Sequence, residues 1–214
     1  MDGKAMYRLS YGLFVLTAKG DGAHADDNGC IINTAIQVTT DPNQISIAVN
    51  KANYTHDLIM KDRKFNVSIL SEKAEFDTFR RFGFQSGRDA DKFAGFEGCY
   101  EKSANGLLYV TKGTNAFISG EVETTLDLGT HTLFIAKVTD MDVLDPDVPS
   151  ATYTFYQEHI KPKQQAPTAG KKTKTVWRCR ICGYIYDGEE LPPDFVCPIC
   201  KHGASDFEKV EVEA

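Results

Sequence analysis

Two short cysteine pairs, Cys179-Arg180-Ile181-Cys182 and Cys197-Pro198-Ile199-Cys200, constrain this chain more than any other stretch of it. A tight turn presents the sulfurs of a Cys-x-x-Cys pair on one side, and fourteen residues separate the two pairs. Two such turns facing each other close a tetrahedral cage of four thiolates, which suits zinc or iron. Disulfides or unlinked buried thiols are the alternative, and paired spacing of this kind speaks for metal. Trp177, Tyr184, Tyr186, Phe195 and Phe207 surround the pairs. A unit this small has almost no core of its own, so metal and aromatic rings together must hold it.

The remaining cysteines, Cys30 and Cys99, stand apart and read as core fillers. A chain of 214 residues, 42% hydrophobic and 25% charged, accommodates one medium domain plus a small appendage. Its net charge of −6 argues against nucleic acid as a partner, because phosphate binding needs a basic surface. No apolar run approaches the roughly 18 residues of a membrane span. The start, Met1 to Tyr7, lacks a basic-then-apolar signal pattern, and the cysteine usage reads as cytoplasmic.

Between residues 161 and 174 the composition shifts to five lysines and two prolines, with no acid and no large apolar residue. Such a stretch cannot bury a core and reads as a tether with an end-to-end distance of about 20 Å. The expected organisation is a domain over 1–160, a linker over 161–174 and a metal module over 175–214. That last module carries four basic and eight acidic side chains, a net −4 on a basic leash.

Along the first 160 residues, short β-rich runs dominate. Strands are expected over 7–18, 30–40, 45–49 and 65–70, and near 107–111, 115–126 and 131–144, with turns at 20–29 and 41–43. Asn53 or Thr55 caps a short helix, and Phe76, Phe79 and Phe82 mark another; 85–92 is a loop. The fold class is mainly β, a barrel or sandwich with two or three short helices.

Three local features carry chemistry. The run Asn33-Thr34-Ala35-Ile36-Gln37-Val38-Thr39 places hydrogen-bonding side chains on a strand, although an ordinary edge strand explains it equally well. The run Asn50-Lys51-Ala52-Asn53-Tyr54-Thr55-His56 combines a cation, hydroxyls and a helix start, the ingredients of a phosphate site or of a plain helix cap. His131 opens a strand that needs no histidine, either as a functional group or as a satisfied surface residue. A Gly-x-Gly-x-x-Gly motif and a phosphate-loop signature are both missing, so any nicotinamide must bind outside a Rossmann domain.

The terminal Cys-x-x-Cys-Gly-Tyr-Ile-Tyr-Asp, Cys-Pro-Ile-Cys and Asp206-Phe207-Glu208 together resemble the rubredoxin family. The resemblance implies one iron held by Cys179, Cys182, Cys197 and Cys200. The stretch between the knuckles is of the short type, and Lys201 stands where the family usually has glycine. Over about residues 5 to 160, the order and spacing of the three features resemble the flavin reductase-like family with its FMN-binding split barrel. That resemblance implies FMN with its ring against Asn33, Thr34, Gln37, Val38 and Thr39, and its phosphate near Asn50, Lys51, Asn53, Tyr54 and Thr55. It further implies Lys92 near the cofactor, His131 near flavin and nicotinamide, and a homodimer. Thr130 replaces the aspartate of the family's Gly-Asp-His pattern, and Tyr156 is expected to stack on the flavin or to pack in the core.

A nicotinamide delivers two electrons together, a tetrathiolate iron takes one, and a flavin converts between the two. The expected function is therefore an NAD(P)H-dependent FMN reductase that passes electrons to its own rubredoxin iron. The resemblance to such fusions implies onward delivery to a flavodiiron-type oxygen or nitric oxide reductase. Two alternatives remain at this level: a flavin reductase serving a monooxygenase with a structural zinc ribbon, and a non-enzymatic FMN and iron electron carrier.

Overall fold

The computed structural model describes residues 2–21, 27–162, 173–180, 184–188, 190–198 and 203–213. The chain divides into two compact units, Met1–Lys161 and Pro162–Ala214. Among the described residues no helix is long and apolar enough to cross a membrane.

The front unit is built on one antiparallel sheet of seven strands in the order β2-β1-β5-β8-β9-β4-β3. Its strands are β1 (Phe14–Lys19), β2 (Asp27–Ile32), β3 (Ile36–Thr40), β4 (Asn43–Asn50), β5 (Lys64–Leu70), β8 (Thr114–Asp127) and β9 (His131–Val143). A separate hairpin pairs β6 (Tyr100–Lys102) with β7 (Leu108–Val110). Helix α1 (Tyr54–Asp62) follows β4 and α2 (Phe76–Gly83) follows β5.

Apolar residues alternate along the strands, and the two faces build two cores. Leu16 and Ala18 of β1, Cys30 of β2, Ile45, Ile47 and Val49 of β4, Phe65 and Val67 of β5, and Phe134 of β9 share one cluster with Leu58 and Ile59 of α1. Strands β2 and β4 stand far apart in the sheet order, so their residues meet only because the sheet curls around α1 into a barrel. Close curvature requires room at Gly120, where an added Cβ would lie 2.6 Å from the Phe65 ring. The ladder with β9 shifts register at that glycine, as a bulge at a barrel corner does.

The opposite faces of β1 and β5 supply Val15 and Leu70 to a second core with Phe79, Phe82, Phe93, Phe96, Val110 and Tyr156. A buried polar seam fastens the β6–β7 hairpin to this sheet. Asn66, fully buried, donates to Ser103 Oγ at 2.8 Å and Leu107 O at 3.1 Å, and accepts from Ser119 and Asn105, each at 2.7 Å.

Two strand expectations are corrected. Residues Gly3–Arg8 form a 3₁₀ turn, and β1 begins only at Phe14. The stretch 30–40 is two strands at opposite edges of the sheet, with the chain crossing at Asn33–Ala35. Thr34 secures that crossing: its hydroxyl donates to Ala48 O at 2.7 Å and accepts from Ala48 N at 3.2 Å.

The tail unit is a three-stranded antiparallel sheet, β10 (Thr173–Cys179), β11 (Ile185–Tyr186) and β12 (Phe207–Glu213), in the order β11-β10-β12. Thr173 and Lys174 pair with Glu213 and Val212, so the last two residues of the expected tether belong to a strand. The rest of that stretch, from 163 to 172, lies outside the described residues.

Candidate functional site

The end of β4, the first turn of α1 and the start of β9 converge. Asn50 pairs with His131 across the ladder, and Lys51 N donates to Thr130 O at 3.0 Å. The side chain of Asn50 accepts from Ala52 N at 2.9 Å and shapes the turn into the helix. Asn53 is the N-cap by backbone conformation, yet its side chain makes no capping bond. The first turn of α1 therefore keeps amide donors for another acceptor, at the positive end of the helix dipole.

Around this turn the side chains fall into three groups. The Lys51 ammonium is exposed and paired with Asp127 at 2.7 Å. Arg88 lies over the Tyr54 ring at 4.7 Å and binds Asp57 at 2.6 Å. The Tyr54 hydroxyl is pushed up chiefly by its hydrogen bond to Asp21. Thr55 is 1% exposed, and among the described residues its hydroxyl has no oxygen or nitrogen partner, only the Cys30 thiol beside it. Burial pushes that thiol up, against the opposing pull of nearby Lys92.

The other expected residues separate into open and buried ones. Gln37, Val38 and Thr39 lie on β3, which is exposed along its whole length, whereas Thr34 is committed to β4. His131 is half-buried, and its Nδ1 is 2.9 Å from Thr130 Oγ1, so a hydroxyl orients the ring where a carboxylate was the family expectation. Lys92 is a core residue: its ammonium donates to Gly29 O at 2.8 Å and Phe82 O at 3.2 Å. Burial depresses its pKa to about 8, and its two hydrogen bonds tie β2 to α2. Tyr156 packs against Phe79 with ring centroids 4.4 Å apart in the second core, so of its two expected roles it takes the core one instead of stacking on the flavin.

His56 closes the run read as a phosphate site or helix cap, but its pairing with Thr132 was not foreseen. His56 Nε2 lies 2.9 Å from Thr132 Oγ1 and Nδ1 lies 3.1 Å from Asp57 Oδ1. Burial pushes the Asp57 carboxyl up, but hydrogen bonds from Arg88 and His56 outweigh it and hold the group below its ordinary range. The only sequence signal was a histidine inside the helix start.

In the tail, Cys179 ends β10 and Cys197 follows the bridge between Val196 and Gly203. Both are buried in one cluster with Phe207, enclosed by Trp177, Tyr184, Tyr186, Leu191 and Phe195. The edge of Phe195 meets Phe207 with centroids 5.3 Å apart. The turn after β10 is tied by Cys179 N donating to Tyr184 O at 2.8 Å. Cys182 and Cys200 lie outside the described residues, and among the described residues no cluster of three metal-type ligands forms. Two thiols brought together inside an aromatic shell fit a soft, thiolate-bound metal. In the front unit, an uncapped helix start, a buried Thr55 hydroxyl with no oxygen or nitrogen partner among the described residues, and the open β3 strand fit a phosphate-bearing planar cofactor.

Residues 6–164 match the flavin reductase like domain, and residues 177–208 match the rubrerythrin, rubredoxin-like domain. The chain belongs to the flavin reductase like family and carries a rubredoxin-like domain at its C-terminal end. Its class is that of NAD(P)H-dependent oxidoreductases, with flavin as the cofactor of the front unit and iron as the metal of the tail. The high molecular weight rubredoxin of Moorella thermoacetica is 38% identical, over 98% of this chain and 100% of that one. The ferric-chelate reductase (NAD(P)H) of Archaeoglobus fulgidus is 36% identical, over 83% of this chain and 98% of its own. Among solved structures, the NADH:FAD oxidoreductase of Streptomyces globisporus C-1027 superposes with a TM-score of 0.60 at 19% identity, covering 70% of this chain and 84% of that one, a likeness of fold.

Proposed function

We propose that the chain is an NAD(P)H-dependent FMN reductase that passes electrons to its own Fe(Cys)4 centre and on to a flavodiiron-type oxygen or nitric oxide reductase. One observation carries this reading: a flavin reductase unit and buried rubredoxin-type thiols share one chain. FMN, when bound, accepts an electron pair as hydride and gives it up singly.

This chain's own residues do the rest. The first-turn amides of α1 and the Thr55 hydroxyl hold the phosphate, with Lys51 and Arg88 adding positive charge beside it. Asn33 and the β3 residues Gln37, Val38 and Thr39 border the ring. His131, its orientation set by Thr130, meets the nicotinamide side. Cys179, Cys182, Cys197 and Cys200 hold the iron. Ile36, Val38, Leu126, Leu128, Met141 and Val143 are large apolar side chains left exposed on β3 and along the β8–β9 hairpin, which supports a homodimer. The cytoplasm is the compartment that suits thiolate-bound iron.

The test is reconstitution with a flavodiiron-type protein. NADH or NADPH should drive oxygen or nitric oxide consumption only when this chain is present. Equal consumption without it rejects the partner. A second reading, reduction of ferric chelates at the flavin, is favoured by the identity with the Archaeoglobus protein. It is separated by assaying ferric chelate with tail-less and full-length chains, because only the flavodiiron route needs the tail.

A further inference from the structure

We infer that His56 is a positioning residue, which through its hydrogen bond to Thr132 fixes the strand carrying His131 against the first turn of α1. The inference rests on the functional reading above and deepens it, since His56 lies outside the contacts proposed for cofactor and nucleotide.

Three observations meet at His56. Lys51 N holds the chain ahead of the helix to Thr130 O, but α1 itself packs chiefly against β1 and β2, so its first turn needs a link of its own to the strand of His131. The link is made by side chains: His56, 7% exposed, and Thr132, 5% exposed, join at 2.9 Å. The His56 ring also stands edge-on to Phe134 of the same strand, with centroids 5.8 Å apart.

The hydrogen-bond chemistry is determined from the other end. Asp57 is held ionised by Arg88 and therefore only accepts, so Nδ1 of His56 carries a proton. In the neutral ring Nε2 is then the acceptor for the Thr132 hydroxyl, and the link at 2.9 Å stands whichever atom donates. Arg88, Asp57, His56 and Thr132 thus form one chain from the 85–92 loop to β9. Successive strand residues face opposite sides. Thr132 is buried and bonded to His56 of the helix, while His131, next to it, is half-buried and points to the other side of the strand, where the proposal places the nicotinamide. Any roll of Thr132 is transmitted to the imidazole of His131, and hydride transfer is sensitive to shifts of that kind.

The test is a double-mutant cycle on the FMN-loaded full-length chain. His56→Phe keeps the ring against Phe134 and removes both hydrogen bonds; Thr132→Val removes only the hydroxyl; Thr132→Ser keeps it. Each of His56→Phe and Thr132→Val should slow flavin reduction about tenfold with FMN affinity unchanged, the double variant should be no slower, and Thr132→Ser should recover the rate to within about twofold. A wild type that is reduced, with single variants as fast as it or with fully multiplicative losses, overturns this inference and leaves the reductase reading intact. A wild type that neither nucleotide reduces overturns the reductase reading instead. The positioning claim is then decided by the side-chain resonances of His131 in histidine-labelled protein. They should shift in both His56→Phe and Thr132→Val, and unchanged resonances overturn the claim.

Discussion

Cys197→Ser should abolish electron delivery beyond the flavin while leaving flavin reduction by NAD(P)H within about twofold of wild type. The thiol of Cys197 is fully buried in a cluster whose other buried members, among the described residues, are Cys179 and Phe207. Serine supplies a hard oxygen that stays protonated near neutral pH, so the soft four-sulfur donor set is lost. The tail unit has too little apolar surface to fold by burial alone, and metal binding is a large part of its folding free energy. Loss of iron should therefore melt the β10–β12 sheet, which the single tryptophan, Trp177, reports by fluorescence. The front unit has its own two cores, so its chemistry survives. Transfer to a partner should fall by about a hundredfold or more, since the one-electron exit is gone. Unimpaired transfer in an iron-free variant contradicts the route through the tail.

Thr55→Val should move the apoprotein and the FMN complex in opposite directions. The Thr55 hydroxyl is buried with no oxygen or nitrogen partner among the described residues. Valine has the same shape without that burden, so the apoprotein should gain about 1 kcal/mol in a denaturant titration. In the proposed cradle the hydroxyl would donate to the phosphate, and a hydrogen bond to a charged group contributes roughly 1.5–3 kcal/mol. Its loss should weaken FMN about tenfold or more, measured by flavin fluorescence on binding. A variant that is more stable and binds FMN as tightly as wild type removes Thr55 from the cradle. Lys51 offers no comparable contrast, because its ammonium is already exposed and shared with Asp127.

Much of this architecture was legible beforehand because it rests on local pattern. The alternation of Ile45, Ile47 and Val49 and the spacing of Phe76, Phe79 and Phe82 are imposed by one buried face, and β4 and α2 lie where those patterns place them. The Cys-x-x-Cys spacing is equally local, and Cys179 and Cys197, the members that are described, lie together in the tail cluster. What the sequence concealed depends on long-range packing. Residues 30–40 carry strand-forming side chains throughout, and only the tertiary clamp between Thr34 and Ala48 shows where the chain leaves one sheet edge for the other. Tyr156 sits in an aromatic run that would suit a ligand or a core, and its contact with Phe79 decides for the core. Lys92 was expected near the cofactor by resemblance alone; the carbonyls of Gly29 and Phe82 that hold it in the core come from separate elements, which no local pattern shows. The pairing of His56 with Thr132 spans 76 positions, beyond any local signal.

The most direct test of the central claim is anaerobic stopped-flow mixing of the full-length FMN and iron protein with NADH or NADPH, followed in the visible. Flavin bleaching should come first and loss of the ferric colour second, with the second phase absent in Cys197→Ser. Flavin that stays oxidised under excess of both nucleotides, or ferric colour that is lost before the flavin bleaches, contradicts the claim that electrons enter as a pair at the flavin and leave singly through the iron.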